Sequence, residues 1–195
     1  MGVHPVKAVF LDRDGVLNDL TLNPATGEWE SPHAIDEIRI ADGAVPALAG
    51  LAAGGYALFI VSNQPSYAKG KIGLQPLQAI AARIEEHFRE HGIAFAETFY
   101  CHHHPAGIVP GYSGACACRK PSPFFLHAAA DRHSIDLASS WMVGDRDTDI
   151  ACGTAAGCRT ILIHNAHSAA HQGKRAPTAA AGSIVEAADI ILAAR

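Results

Sequence analysis

The sequence predicts an α/β fold, a doubly wound and mainly parallel sheet with helices on both faces. Short β-rich runs alternate with stretches of helical apolar spacing along the chain. The runs are apolar nearly throughout, which fits strands buried on both faces between two helix layers. The repeated β-α order then calls for right-handed crossovers, and it places ligands beyond the carboxyl ends of the strands.

The expected strands are Lys7–Leu11, Ala57–Val61, Glu97–Tyr100, Ser140–Val143 and Arg159–Ile163. Between them Val45–Ala53, Leu74–His91, Ser122–His133 and Thr148–Ala156 carry helix-like spacing with few breakers. Residues 19–40 hold Pro24, Gly27 and Pro32 and read as a long loop rather than a helix. Residues 101–121 show no usable period, and a loop of that length in a small domain calls for a function or a metal clip. The Ala- and His-rich tail from Ala166 to Gly182 reads as mobile, and Ser183–Ala194 fits either a helix or a short strand.

At 195 residues the chain suits one domain, 1–195, and its 49% hydrophobic content supports a real core. That content excludes disorder, and the lack of a period excludes a fibre. The net charge of −4 comes without a basic stripe, so no nucleic-acid partner is expected. No apolar run approaches the roughly 18–20 residues of a membrane span. The N-terminal MGVHPVKAVFLDRDG has too short an apolar stretch for a secretory signal, and Val6 stands where acylation at Gly2 would want Ser or Thr. A cytoplasmic location is therefore expected, where the five cysteines stay reduced and metal ligation is favoured over disulfides.

Four strand ends carry chemistry. Asp12-Arg13-Asp14-Gly15 puts two carboxylates on a tight turn. Ser62-Asn63-Gln64 offers a hydroxyl and amides to an anion, and Arg119-Lys120-Pro121 offers cations near a helix start. Gly144-Asp145-Arg146-Asp147-Thr148-Asp149 adds further acids. Acids for Mg²⁺, cations for phosphate oxygens and a Ser/Asn pair are the parts of a phosphoryl-transfer site.

Phe10-Leu11-Asp12-Arg13-Asp14-Gly15-Val16-Leu17-Asn18 resembles the first motif of the haloacid dehalogenase superfamily of phosphatases. Ser62, Lys120 and Gly144-Asp145 with Asp149 match its second, third and fourth motifs, in order, across about residues 7–163. The resemblance implies a haloacid dehalogenase-like Rossmannoid fold with Asp12 as nucleophile and Asp14 as acid and base. It further implies Ser62 and Lys120 on the phosphoryl group, and Mg²⁺ held by Asp12, the Asp14 carbonyl and Asp145. Asn63, Gln64, Arg119 and Arg146 are the expected substrate contacts.

Cys101, His103, Cys116 and Cys118 in C-x-H-x₁₂-C-x-C spacing give a Cys₃His set suited to closed, tetrahedral zinc, with His102 and His104 as alternative ligands. Cys152 and Cys158 read as packing residues. A zinc loop ending in Cys-x-Cys-Arg-Lys-Pro resembles the heptose 1,7-bisphosphate phosphatases and the related histidinol-phosphate phosphatases. This implies a structural zinc in the 101–118 insertion, no separate cap domain, and specificity set partly by loop 19–40.

The departures fall where substrate is sensed. Gly-Asp-Arg-Asp-Thr-Asp is nearer the histidinol-phosphate pattern, Pro65-Ser66-Tyr67 replaces a run of smaller residues, and Trp29 sits in a longer first loop. The expected activity is Mg²⁺-dependent hydrolysis of the 7-phosphate of a heptose bisphosphate, in supply of lipopolysaccharide or related glycans. Histidinol phosphate or another small sugar phosphate is the alternative, with Asp19, Glu28, Glu30 and Asp36 leaving room for a cationic substrate. A phosphate-binding module without turnover is disfavoured by the intact Asp12 and Asp14, and a monomer is the expected state.

Overall fold

The computed structural model describes residues 5–24 and 26–194, so Gly2 and the acylation reading that rests on it lie outside the described residues. In chain order the strands are β1 (Lys7–Leu11), β2 (Thr21–Leu22), β3 (Trp29–Glu30), β4 (Tyr56–Asn63), β5 (Glu97–Cys101), β6 (Trp141–Gly144), β7 (Arg159–Ile163) and β8 (Ala179–Ala181). The helices are α1 (Ala44–Ala53), α2 (Leu74–Glu90), α3 (Phe124–His133), α4 (Asp147–Ala156) and α5 (Ile184–Ala193).

Six strands form one sheet in the order β5-β4-β1-β6-β7-β8, with every neighbouring pair parallel. Because side chains alternate along a strand, β1 feeds two cores at once. Val9 and Leu11 meet Leu48 and Leu51 of α1, Ile80 and Ile84 of α2 and Ile191 of α5. Ala8 and Phe10 meet Leu126 of α3 and Cys152 of α4 on the opposite face. Each such Leu or Ile contributes about 1.5–3 kcal/mol by leaving water. The chain runs outward from β1 to β4 and β5, then returns to β6 on the other side, so the strand order switches beside β1. A doubly wound sheet opens its ligand crevice at that switch.

Several expectations are corrected. β4 runs through Asn63, so Ser62 and Asn63 lie on the strand rather than after it. Helix α3 starts at Phe124 and not Ser122, because Ser122 is spent in a turn, donating its N–H to the Arg119 carbonyl ahead of Pro123. Loop 19–40 folds into an antiparallel hairpin of β2 and β3, with Thr21 opposite Glu30 and Leu22 opposite Trp29. Two-residue strands leave no period to read.

The tail expected to be mobile is built into the fold. A 3₁₀ turn at Ala166–His171 is followed by β8, which pairs with β7. Thr160 and Thr178 exchange N–H to hydroxyl bonds of 3.0 and 3.1 Å beside that pairing. Of the segment Ser183–Ala194, Ile184–Ala193 forms helix α5, with the Ser183 hydroxyl capping the Glu186 N–H at 3.2 Å. No helix among the described residues is long and apolar enough to cross a membrane.

Candidate active site

Asp12 follows β1 directly and donates its N–H to the Val143 carbonyl of β6 at 2.9 Å, which keeps it at the strand switch. The turn then tightens, with the Arg13 carbonyl accepting the N–H groups of Leu17 and Asn18 at 2.8 and 3.1 Å. Gly15 has φ +83°, and a Cβ there would lie 2.4 Å from Asp145 Oδ2. At the end of β6 a Cβ on Gly144 would lie 2.2 Å from the Asp149 Cβ. Two glycines therefore let the first and fourth motifs close on each other.

Asp12, Asp145 and Asp149 meet as a buried trio, their ligand atoms within 4.8 Å of one another. Both Asp145 carboxylate oxygens are buried without a hydrogen-bond partner among the described residues, and Arg146 Nε lies 3.8 Å from Oδ1. Burial, and then the charges of Asp12 and Asp149, push the Asp145 carboxyl well above the usual carboxylate range. Asp149 is raised too, by burial, which Lys120 opposes and Asp12 reinforces. Lys120 Nζ sits among them, 2.9 Å from Asp12 Oδ1, 2.7 Å from Asp149 Oδ1 and 2.6 Å from the Val61 carbonyl oxygen. Burial disfavours its charge, but Asp12 and Asp149 outweigh that and hold its pKa above the ordinary ammonium value. Three carboxylates against Lys120, with Arg146 only at the 3.8 Å edge of Asp145, leave the cluster with an excess of negative charge. An all-oxygen donor set carrying that excess fits a hard divalent cation such as Mg²⁺.

Asp14 differs from the trio. Its Oδ1 accepts from Arg13 Nε and Asn18 Nδ2, both at 3.0 Å, and its Oδ2 from Gln64 Nε2 at 2.6 Å and Ser31 Oγ at 2.8 Å. Burial would raise its pKa, yet Arg13 and then the Gln64, Asn18 and Ser31 bonds hold it below the usual carboxylate value. Gln64 was expected to touch substrate; it is fully buried, so its amide serves Asp14 and Ser62 instead. Asn63 lines the cleft, but its amide clamps the Lys120 backbone through two 3.1 Å bonds. Arg119 and Arg146 line the cleft as expected, and Arg119 is steadied by a 3.2 Å bond to the His103 carbonyl.

The cleft encloses about 690 Å³. Its rim brings Trp29 of β3 against His167 of the tail, with ring centroids 3.5 Å apart. Besides Asp12, Asp14, Asp149 and Lys120, five cations (Lys69, Lys71, Arg119, Arg146 and Lys174) and three acids (Glu28, Glu30 and Asp147) line it. Glu30 is paired with Lys71. Of the acids expected to suit a cationic substrate, Glu28 and Glu30 reach the cleft, while Asp19 faces a separate depression. Sequence reasoning missed Asp149 as a member of the charged cluster, although it named the motif. It also missed Ser31, His167 and Lys174, which carry no local signal.

A second cluster joins Cys101, at the end of β5, to His103, Cys116 and Cys118. The sulfur separations are 3.2, 3.6 and 3.6 Å, and His103 Nδ1 lies 3.9 Å from Cys101 Sγ and 3.7 Å from Cys118 Sγ. Zinc–sulfur bonds of about 2.3 Å in a tetrahedron put sulfurs roughly 3.8 Å apart, so the spacing fits that ion. His102 Nδ1 faces the Gln64 carbonyl at 3.4 Å and His104 Nδ1 accepts the Ala106 N–H at 3.1 Å, so of the three candidates His103 faces the sulfurs.

A model of HAD-hydrolase-like proteins matches residues 117–187. A D-glycero-alpha-D-manno-heptose-1,7-bisphosphate 7-phosphatase from Photorhabdus laumondii subsp. laumondii is 34% identical over 84% of this chain and 86% of its own length. A beta-heptose counterpart from Vibrio cholerae serotype O1 is also 34% identical, over 91% of each chain. The chain belongs to the HAD-like hydrolase family. Within that family a solved D,D-heptose 1,7-bisphosphate phosphatase from B. bronchiseptica, complexed with magnesium and phosphate, superposes with a TM-score of 0.79. It is 26% identical and covers 97% of this chain and 100% of its own.

In this HAD-like hydrolase, Gly144→Ala is expected to displace Asp149 and, through it, Lys120. A Cβ contact of 2.2 Å is too short for a flexible side chain to relieve, so activity should fall sharply with the melting temperature lowered. Thermal unfolding and phosphatase rates measured together check this; a variant matching the parent in both contradicts it.

Proposed function

We propose that the protein is a Mg²⁺-dependent phosphomonoesterase that removes the 7-phosphate of D-glycero-D-manno-heptose 1,7-bisphosphate. The observation that carries this is the buried acid trio with Lys120 at the strand switch. Asp12 attacks phosphorus and becomes the aspartyl-phosphate, while Asp14, which takes up a proton as the anionic substrate binds beside it, gives that proton to the departing sugar oxygen. Asp14 then takes a proton from the water that hydrolyses the intermediate. Ser62 and Lys120 hold the phosphoryl oxygens. A divalent ion bound by Asp12, Asp145 and the Asp14 carbonyl supplies charge neutralisation, and Asp149 anchors Lys120 beside it.

Five cations against three acids along the cleft, with Lys71 already paired to Glu30, leave a positive excess that supports a substrate with a second anionic group, as a bisphosphate has. Zinc at Cys101, His103, Cys116 and Cys118 folds the 101–118 insertion against the cleft in place of a cap domain, within a single unit 1–195. Its support is the Ala68 carbonyl, which accepts the N–H groups of Ile108 and Val109 at 2.7 and 3.2 Å, next to Lys69. A cytoplasmic monomer needing no nucleic-acid or membrane partner completes the proposal.

Glu28, in the cleft, favours the second reading, an amino-alcohol phosphate such as histidinol phosphate. Relatives named for either anomer match equally well at 34% identity, so both anomers belong in the test. Ranked by kcat/KM, a heptose bisphosphate is expected to exceed histidinol phosphate by about 100-fold, because a site built for a second phosphate leaves its donors unpaired without one. The reverse ranking would transfer the chain to the amino-alcohol substrate.

A further inference from the structure

Gln64 and Arg13 are fully buried. Neither lines the cleft, yet together they form a dense polar network behind it. Arg13 Nη2 donates to Gln64 Oε1 at 2.8 Å. That bond fixes the sense of the amide, since a flipped amide would turn its N–H groups toward the guanidinium. With the oxygen pinned, Nε2 points at Asp14 Oδ2, 2.6 Å away, and at Ser62 Oγ, 3.0 Å away. The backbone is fixed as well, because the Gln64 N–H donates to the Cys101 carbonyl at 2.7 Å, just past the last β4–β5 pair.

Arg13, Asn18 and Gln64 all grip Asp14 from inside the protein, and among the described residues Ser31 is the one partner of its carboxylate that also lines the cleft. The carboxylate is therefore held on its inner side and approachable from the Ser31 side. The geometry points to Gln64 as a positioning residue whose amide, oriented by Arg13, aims the Asp14 carboxyl at the oxygen of the leaving group. This rests on the phosphatase reading above. In the first half-reaction the bond from phosphorus to the ester oxygen breaks, Asp12 bonds to phosphorus, and the Asp14 proton passes to the departing oxygen. An Asp14 that is present but misaimed would fail in that proton transfer, while attack by Asp12 would survive.

The leaving group tests this. A sugar alkoxide needs the proton, whereas p-nitrophenolate departs without one. Gln64→Met and Gln64→Leu both remove the N–H that reaches Asp14, and neither sets a second carboxyl against it. For each, kcat/KM on the heptose bisphosphate is expected to fall by at least about tenfold, and on p-nitrophenyl phosphate by less than about threefold. Equal losses on both esters, or no loss on either, overturn the proposal, because a structural defect or a displaced Ser62 would not depend on the leaving group. Wild-type protein that hydrolyses neither ester overturns the phosphatase reading and this inference with it. That outcome is visible before any variant is made.

Discussion

Asp12→Asn is expected to abolish phosphate-ester hydrolysis and leave the fold intact. Asp12 Oδ1 accepts the Arg13 N–H at 2.8 Å and lies 2.9 Å from Lys120 Nζ, and an amide oxygen can take both contacts. The packing around it is therefore kept. What is lost is the anionic nucleophile, together with one charge of the divalent-ion site. Removing that charge also relieves Asp145, whose carboxyl is pushed up in part by Asp12. Against this, Lys120 keeps only Asp149 as a charged partner, so unfolding in the absence of metal should change little from the parent. Loss of a covalent nucleophile costs on the order of 10⁴-fold or more in rate when the rest of the site is intact. Steady-state hydrolysis of a sugar phosphate, run beside thermal unfolding followed by circular dichroism, checks both halves. Folded Asp12→Asn protein with a rate within tenfold of the parent would remove Asp12 from the nucleophile's place, and Asp14 would become the carboxylate to test next.

How much of this was legible depends on where each signal is stored. The five core strands were readable because burial on both faces demands uninterrupted apolar runs, and Phe59, Ile60 and Val61 of β4 supply one. Asp12 and Asp145 were readable as motifs, because each directly follows a strand end; Asp149, in the first turn of α4, was read only as part of the fourth motif. Strand β8 was not readable: its three alanines carry no β signal, and it exists because β7 offers an open edge beside the Thr160–Thr178 exchange. The start of α5 was present as Ser183 followed three residues later by Glu186, a capping pattern that would have decided between helix and strand. The burial of Gln64 could not be read locally. Its neighbours Ser62 and Asn63 both line the cleft, and it is partners far off in the chain, Arg13 and Asp14, that hold the Gln64 amide inward.

Removing zinc, or one of its ligands, should weaken both the fold and the chemistry, because the cluster stands next to Lys120 in the chain. Cys118→Ser leaves Cys101, His103 and Cys116 as a three-ligand set, and serine is a poor ligand for this borderline-soft ion. Free zinc at a thousandfold over its Kd stabilises a native site by about 4 kcal/mol. For a chain of this size that corresponds to about 10 °C in Tm. The functional effect follows the backbone. Arg119 loses the His103 carbonyl that steadies it, and the Ala68 carbonyl loses the loop whose N–H groups fix the segment carrying Lys69. Both cations line the cleft, so KM for a bisphosphate should rise more than kcat falls. Protein purified without chelator is expected to carry about one zinc per chain by elemental analysis. Cys118→Ser should carry little zinc, melt lower and bind substrate more weakly. A zinc-free parent with unchanged Tm and kcat/KM would mean that the sulfur cluster serves packing alone, and the fold of loop 101–118 would then rest on its contacts with Ala68.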